Sequence, residues 1–185
     1  MVMSQQPSHN TAEDFLCESA GIVTLCGEID EWLTRKVIYS LYYLHGLGRG
    51  EITLAITSAG GSVLDAHGIA DTIADVVRRG TRVIGRVHGL AMSAAIFPLL
   101  ACSTRVASRN AMLMIHGLEG IQIADVRNQE ADLVANTKLV AIQAEILGSR
   151  SNKPIDYWLP VLKDRLPTYY TATEALEWGL IDEVV

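Results

Sequence analysis

Apolar residues along this chain fall into two patterns, short continuous runs and stripes recurring every three to four positions, and their alternation lays out the elements. The run Gly21-Ile22-Val23-Thr24-Leu25-Cys26 predicts a buried strand that Gly27 ends. Glu31 to Tyr43 predicts an amphipathic helix, because Leu33, Val37, Leu41 and then Leu44 share one face. Its stop is the glycine-rich stretch Gly46-Leu47-Gly48-Arg49-Gly50. Ile52 to Thr57 predicts a second strand, running directly into a Gly60-Gly61 turn. Val63 to Arg79 carries Ile69, Ile73, Val76 and Val77 at helical spacing and closes at Gly80. Val83-Ile84-Gly85-Arg86-Val87 predicts a third strand, and the nearly all-apolar Ser93 to Cys102 a buried helix. Arg105-Val106-Ala107 and Met112-Leu113-Met114-Ile115 predict short strands around a Ser108-Arg109-Asn110 turn.

Strands alternating with helices of this length indicate βαβ units, hence an α/β fold with a mainly parallel sheet. One more long helix is predicted from Ile123 to Leu147, with Val126, Leu133, Val134, Thr137, Val140, Ala144 and Leu147 on one stripe. It follows the compact βαβ region, so either the chain's own sheet or another subunit covers that stripe. There are no internal repeats and no low-complexity linkers. With 185 residues, 49% of them hydrophobic, the chain suits one compact domain over 21–185 behind a polar, flexible N-terminal arm over 1–20.

Composition narrows the function. The net charge is −6 and the basic residues are scattered, which leaves no nucleic-acid footprint. The longest nearly apolar run, Gly89 to Cys102, contains Ser93 and Pro98 and falls short of the roughly 20 residues a bilayer span takes. Met1 to Asp14 lacks the apolar core of a secretory signal, so the expected compartment is the cytoplasm. Cys17, Cys26 and Cys102 have no metal-ligand spacing and cannot all pair, which fits reduced thiols.

Three short pieces carry the candidate chemistry: Ser58-Ala59-Gly60-Gly61-Ser62, Gly89-Leu90-Ala91-Met92-Ser93-Ala94-Ala95 and Met114-Ile115-His116-Gly117. Ser93 stands where a strand passes into a helix, so its hydroxyl projects from a turn and the Ala94 N–H faces a developing oxyanion. The plain alternative for such a serine is a helix N-cap. Gly60-Gly61 after a strand is usually a tight turn, yet it also lets the Gly61 N–H approach a substrate carbonyl. His116 ends an apolar strand and is the natural general base; a satisfied core histidine is the alternative. His88 competes with it by nearness to Ser93, while His9, His45 and His67 receive no role. Asp30, Asp65, Asp125, Asp132, Asp156, Asp164 and Asp182 are all available to orient the base, and spacing does not choose among them.

In this order the pieces resemble the ClpP family, the serine peptidase subunits of Clp proteases, over about Gly21 to Val185. Thr57-Ser58-Ala59-Gly60-Gly61 is similar to the family's Asn-Ser-Pro-Gly-Gly. Gly89 to Leu100 is similar to its Gly-Gln-Ala-Ala-Ser-Met-Gly-Ala-Phe-Leu-Leu, which implies a nucleophile at Ser93. Met114-Ile115-His116 matches its Met-Ile-His and implies the base. Thr171-Ala172-Thr173-Glu174-Ala175 and Glu177-Trp178-Gly179-Leu180-Ile181-Asp182 match Ser-Ala-x-Glu-Ala and Glu-Tyr-Gly-Leu-Ile-Asp. The family's His-Gln-Pro is His116-Gly117-Leu118 here, and the stretch between nucleophile and base is shortened around Cys102 to Arg105. Aligned without a gap, Pro167 falls on the family's aspartate; an insertion of Leu166-Pro167-Thr168 instead matches Lys163-Asp164-Arg165 to Arg-Asp-Arg and implies Asp164.

The resemblance implies a ClpP/crotonase-like core with a protruding handle helix, here about 117–150, in two stacked heptameric rings of one chain or mixed with a paralogue. It also implies an AAA+ unfoldase delivering unfolded polypeptide, an oxyanion hole at the Gly61 and Ala94 N–H groups, and no metal or other cofactor. Three other readings compete. One is a noncatalytic ring subunit, motivated by the altered residues after His116. Another is a crotonase-type acyl-CoA enzyme, which shares the fold and the two-amide oxyanion hole. The last is a Ser–Lys dyad using Lys138, as in signal-peptide peptidase relatives.

Overall fold

The computed structural model describes residues 15–117, 129–164 and 166–185. Seven strands form one sheet in the order β1-β2-β3-β4-β7, with β5 pairing β3 and β6 outside that path. The strands are β1 (Ile22–Ile29), β2 (Glu51–Gly61), β3 (Arg82–Met92), β4 (Thr104–Ala107), β5 (Met112–Ile115), β6 (Thr168–Thr171) and β7 (Glu183–Val184). All recorded pairings are parallel except β5 with β6. This is the parallel-dominated α/β architecture expected from the alternating pattern.

Helices α1 (Glu31–Gly46) and α2 (Val63–Arg78) lie where the apolar spacing predicts them. Leu33, Val37, Leu41 and Leu44 of α1 and Ala66, Ile69, Ile73 and Val76 of α2 are all in the core, against Leu25, Leu54, Ile56 and Val87 of the sheet. Asp30 caps α1 by accepting from the Leu33 N–H, and Ser62 caps α2 by accepting from Asp65 N–H. A 3₁₀ turn (Ser93–Ala95) leads into α3 (Ile96–Ala101), which is buried throughout except at its last residue, as its apolar sequence demands.

Strand ends differ from expectation. Gly27 does not stop β1: it takes φ +98° at a register shift between Cys26 and Glu28, and the strand resumes to Ile29. Likewise β3 runs through Gly89, at φ +79°, as far as Met92. There β3 advances from Val87 to Ala91 while β2 advances only from Ile56 to Ser58. The irregularity marks a change of partner, because Ile84–Val87 pair with β4 whereas Leu90–Met92 pair with β5.

Helix α4 (Gln129–Arg150) covers the described part of the predicted long helix; Ile123 and Val126 lie outside the described residues. Ala144 and Leu147 are in the core, but Leu133 and Val134, two turns and more earlier, are 66% and 50% exposed. The apolar stripe is therefore covered by the chain only at its C-terminal end. Four elements follow that the apolar pattern does not single out: α5 (Ile155–Lys163), β6, α6 (Ala172–Glu177) with a Thr171/Glu174 capping box, and β7. Of the expected N-terminal arm, 1–14 lie outside the described residues, and Leu16–Ala20 form a π-helical turn with Cys17 against the core.

Arg105 ties the C-terminal segment to the sheet. It donates to Asp182 from Nε (3.0 Å) and Nη2 (2.5 Å), and from Nη1 to the Arg150 and Gly179 carbonyls. Burial would push the Asp182 carboxyl up, but the side-chain and backbone hydrogen bonds from Arg105 outweigh it and hold it below the usual range. No described helix is long and apolar enough to cross a membrane.

Candidate active site

Parallel strands gather their carboxyl ends at one edge of a sheet, and that edge is where α/β folds place their sites. Here β2 ends in Gly60-Gly61, β3 hands over to Ser93, and β5 hands over to His116. The pairing of Met92 with Met114 sets the last two in register, so Ser93 and His116 emerge side by side. His116 Nε2 and Ser93 Oγ are 2.7 Å apart, a hydrogen bond of the reach that proton transfer needs.

Ser93 holds φ +53°, the left-handed region, and among the described residues no other non-glycine has positive φ. Such a backbone costs on the order of 1–2 kcal/mol. It turns the chain sharply at the end of β3, which lifts the hydroxyl from the ladder and starts the 3₁₀ turn at once. The Ala94 N–H belongs to the first turn, whose amides have no partner within the helix. Ser93 does not act as an N-cap: the cap position is Met92, with no side-chain cap bond.

The glycine pair is shaped by its neighbours. A Cβ on Gly60 (φ +102°) would sit 2.8 Å from Ser93 Cβ, 2.8 Å from the Met92 carbonyl oxygen and 3.0 Å from the Ala94 nitrogen. A Cβ on Gly61 (φ +145°) would collide with the backbone of Ile29. Ser58, 1% exposed, fixes this loop: its Oγ donates to the Gly27 carbonyl at 2.6 Å and accepts from the Gly60 N–H at 3.1 Å. In the sequence Ser58 is only part of a motif; the pairing of β1 with β2 gives it its anchoring role.

Gly61, Ser93, Ala94 and His116 line one cavity of about 580 Å³, walled by Val63, Ile96, Phe97, Met114, Leu147 and Leu162, with Gln143 among them. Behind Phe97 stands His67, its ring edge-on at 5.0 Å, with Nε2 buried and unpartnered. Burial lowers the pKa of His67, more than the charge of Asp71 raises it, and keeps it neutral.

Asp164 approaches the base through its backbone. Its carbonyl accepts from the Gly117 N–H at 3.2 Å, one residue beyond His116. A Cβ on Gly117 would run into the Leu162 and Asp164 carbonyls, so only glycine admits this approach. The Asp164 carboxylate itself accepts from the Leu166 N–H at 3.2 Å. Among the described residues, no carboxylate oxygen bonds to His116 Nδ1. Of the other carboxylates, Asp30 is spent on capping α1 and Asp182 on Arg105, Asp65 and Asp156 lie in first turns of helices, Asp125 lies outside the described residues, and the side chain of Asp132 is not described.

The competitors fall away on position. His88 is exposed, and its Nδ1 lies 3.5 Å from Ser108 Oγ, off the cavity wall. Lys138 is an exposed residue of α4 and does not line the cavity, so it offers no dyad with Ser93. Cys102 is fully buried, and burial pushes its thiol up to about 12, which makes it inert.

A serine, a histidine within hydrogen-bond reach and two backbone amides at one apolar cavity form an acyl-transfer arrangement. The comparisons agree. A model of the Clp protease family matches residues 5–185. The ATP-dependent Clp protease proteolytic subunit of Porphyromonas gingivalis is 31% identical over 172 residues, which span 89% of this chain and 73% of that protein.

Proposed function

Because the chain belongs to the Clp protease family, we propose that it is the serine endopeptidase subunit of a Clp-type compartmentalised protease, with Ser93 as nucleophile and His116 as general base. The observation that carries this reading is the 2.7 Å contact between His116 Nε2 and Ser93 Oγ at the cavity. His116 takes the Ser93 proton as Oγ attacks the scissile carbonyl, and the amides of Gly61 and Ala94 receive the oxyanion. His116 then protonates the leaving amine, and water releases the acyl group from Ser93.

Asp164 is the orienting carboxylate in this reading. What supports it is that the Asp164 carbonyl accepts from the N–H of Gly117, next to His116; in this reading its carboxylate leaves the Leu166 N–H to orient the imidazole. Neither a metal nor a nucleotide enters the peptidase chemistry; ATP belongs to an AAA+ unfoldase that supplies unfolded chains. The working form is two stacked heptameric rings in the cytoplasm, of this chain alone or mixed with a paralogue. Its handle comes from the region about 117–150, where the exposed Leu133 and Val134 of α4 are covered by another subunit. Residues 21–185 act as one peptidase domain.

Fluorophosphonate labelling of the purified protein, followed by intact mass, tests the assignment. Wild type takes up one adduct per chain, Ser93→Ala and His116→Ala take up none, and Asp164→Asn reacts at least roughly ten-fold more slowly. A ring-sized wild-type species that takes up no label refutes the catalytic reading in favour of a structural ring subunit.

A further inference from the structure

The cavity beside Ser93 is apolar on most of its wall, and besides Ser62, Ser93 and His116 one polar side chain among the described residues lines it. Gln143 lines it from α4, one helical turn before Leu147, which lines it too. Only 2% of Gln143 is exposed. Val63, Phe97, Met114 and Leu162 line the same cavity. Among the described residues, no hydrogen bond is formed by the Gln143 side-chain amide. Buried polar groups are nearly always paired, because an unmade hydrogen bond inside a protein is costly. A leucine or methionine would fill this position without that cost. The amide is therefore placed for a group that arrives from outside.

The chemistry of that group follows from what the wall offers. Gln143 presents two N–H donors and one carbonyl acceptor. Among the described residues the cavity has no charged side chain, and its one titratable group, His116, is engaged with Ser93. An ammonium or carboxylate entering it would be desolvated without a counter-charge. A purely apolar side chain would fill the volume and leave the amide unpaired. A carboxamide matches donor for acceptor and acceptor for donor, and the remaining wall covers its methylenes.

We propose that Gln143 is the specificity-determining residue of this site and selects peptides whose side chain on the acyl side of the scissile bond ends in a carboxamide, glutamine above all. The proposal rests on the serine peptidase reading, and its test separates the two. Peptidyl phosphonates with glutamine or with near-isosteric methionine at that position modify Ser93 without turnover. Their rates are measured on wild type and Gln143→Met, each normalised to a plain fluorophosphonate that has no side chain for the cavity. Wild type is expected to favour the glutamine reagent by roughly ten-fold, and Gln143→Met to lose or reverse that preference. A wild-type preference for methionine, or the same ratio in both proteins, overturns the role of Gln143 while leaving Ser93 as nucleophile. Failure of the plain fluorophosphonate to modify wild type overturns the peptidase reading, and the specificity with it.

Discussion

Adding a single methyl group to Gly60 tests whether the β2 tip sets the position of Ser93. In Gly60→Ala the new Cβ meets Ser93 Cβ and the Met92 oxygen at 2.8 Å, where ordinary contact begins at 3.4 Å, so the two segments must part by about 0.6 Å. The loop has little room to give, because Ser58 clamps it to Gly27 and to its own Gly60 N–H. Ser93 therefore takes up most of the shift. Displacement along the line to His116 would stretch their 2.7 Å contact to about 3.3 Å, at the edge of hydrogen bonding. A misplacement approaching 1 Å costs roughly a hundred-fold in rate, and that order of loss is expected for Ser93 labelling. Stability falls as well, by about 1–2 kcal/mol for alanine at positive φ and about 1–3 kcal/mol for overpacking. Gly80→Ala is the control: its φ is +99° but a Cβ there meets nothing within 4 Å. It should lose only the backbone contribution in a denaturant melt and label at the wild-type rate. A folded Gly60→Ala that labels as fast as wild type, or a Gly80→Ala that labels as slowly as Gly60→Ala, refutes the reasoning.

Other expectations follow from the same contacts. Ser93→Gly should abolish labelling yet raise stability by about 1 kcal/mol in thermal unfolding, since glycine accepts φ +53° without strain; a destabilised variant would contradict strain at the nucleophile. In native protein a maleimide should modify the exposed Cys26 and leave Cys102 untouched until denaturant is added, read by mass spectrometry of peptides. Asp182 is held below its ordinary value of 3.8, so its contribution is present above that pH and disappears as pH falls through the lower folded value. Asp182→Asn should accordingly flatten the acid limb of the stability curve below about pH 4 while lowering stability near pH 7, and an unchanged acid limb would remove Asp182 from the account.

The sequence and the structure agree best where one face of an element decides its form. The spacing predicts α1 over 31–43 and α2 over 63–79, against Glu31–Gly46 and Val63–Arg78 observed, because each buries a single stripe against the sheet. Strand ends were less legible. His88-Gly89 breaks the apolar run, but the ladder with β5 carries β3 on to Met92, and a ladder partner leaves no trace in local pattern. The sequence pointed to Ser93, His116, Gly61 and Ala94, and they line one cavity. Asp164 came from the alignment of a family motif rather than from spacing, and the contact that brings it near, Gly117 N–H to its carbonyl, is purely main chain. Nothing in the sequence marks Gln143, because a glutamine on a helix reads as solvated; the packing of α4 places it at the cavity. Nor does anything mark Ser58 as an anchor, its partner Gly27 lying 31 residues away.

The branching of the sheet at β3 has a mechanical consequence. Ser93 and His116 sit on different branches of unequal strength, since β5 is joined to β3 by three residue pairs and to β6 by four, whereas β2 and β3 pair along most of their length. The free energy needed to open the small branch is below that of unfolding the whole chain. Opening it would part His116 from Ser93 and would also bare Leu113, Ile115 and Tyr170, which belong to the core. Any contact that clamps β5 and β6, from a neighbour or a bound peptide, therefore steadies the distance between His116 and Ser93.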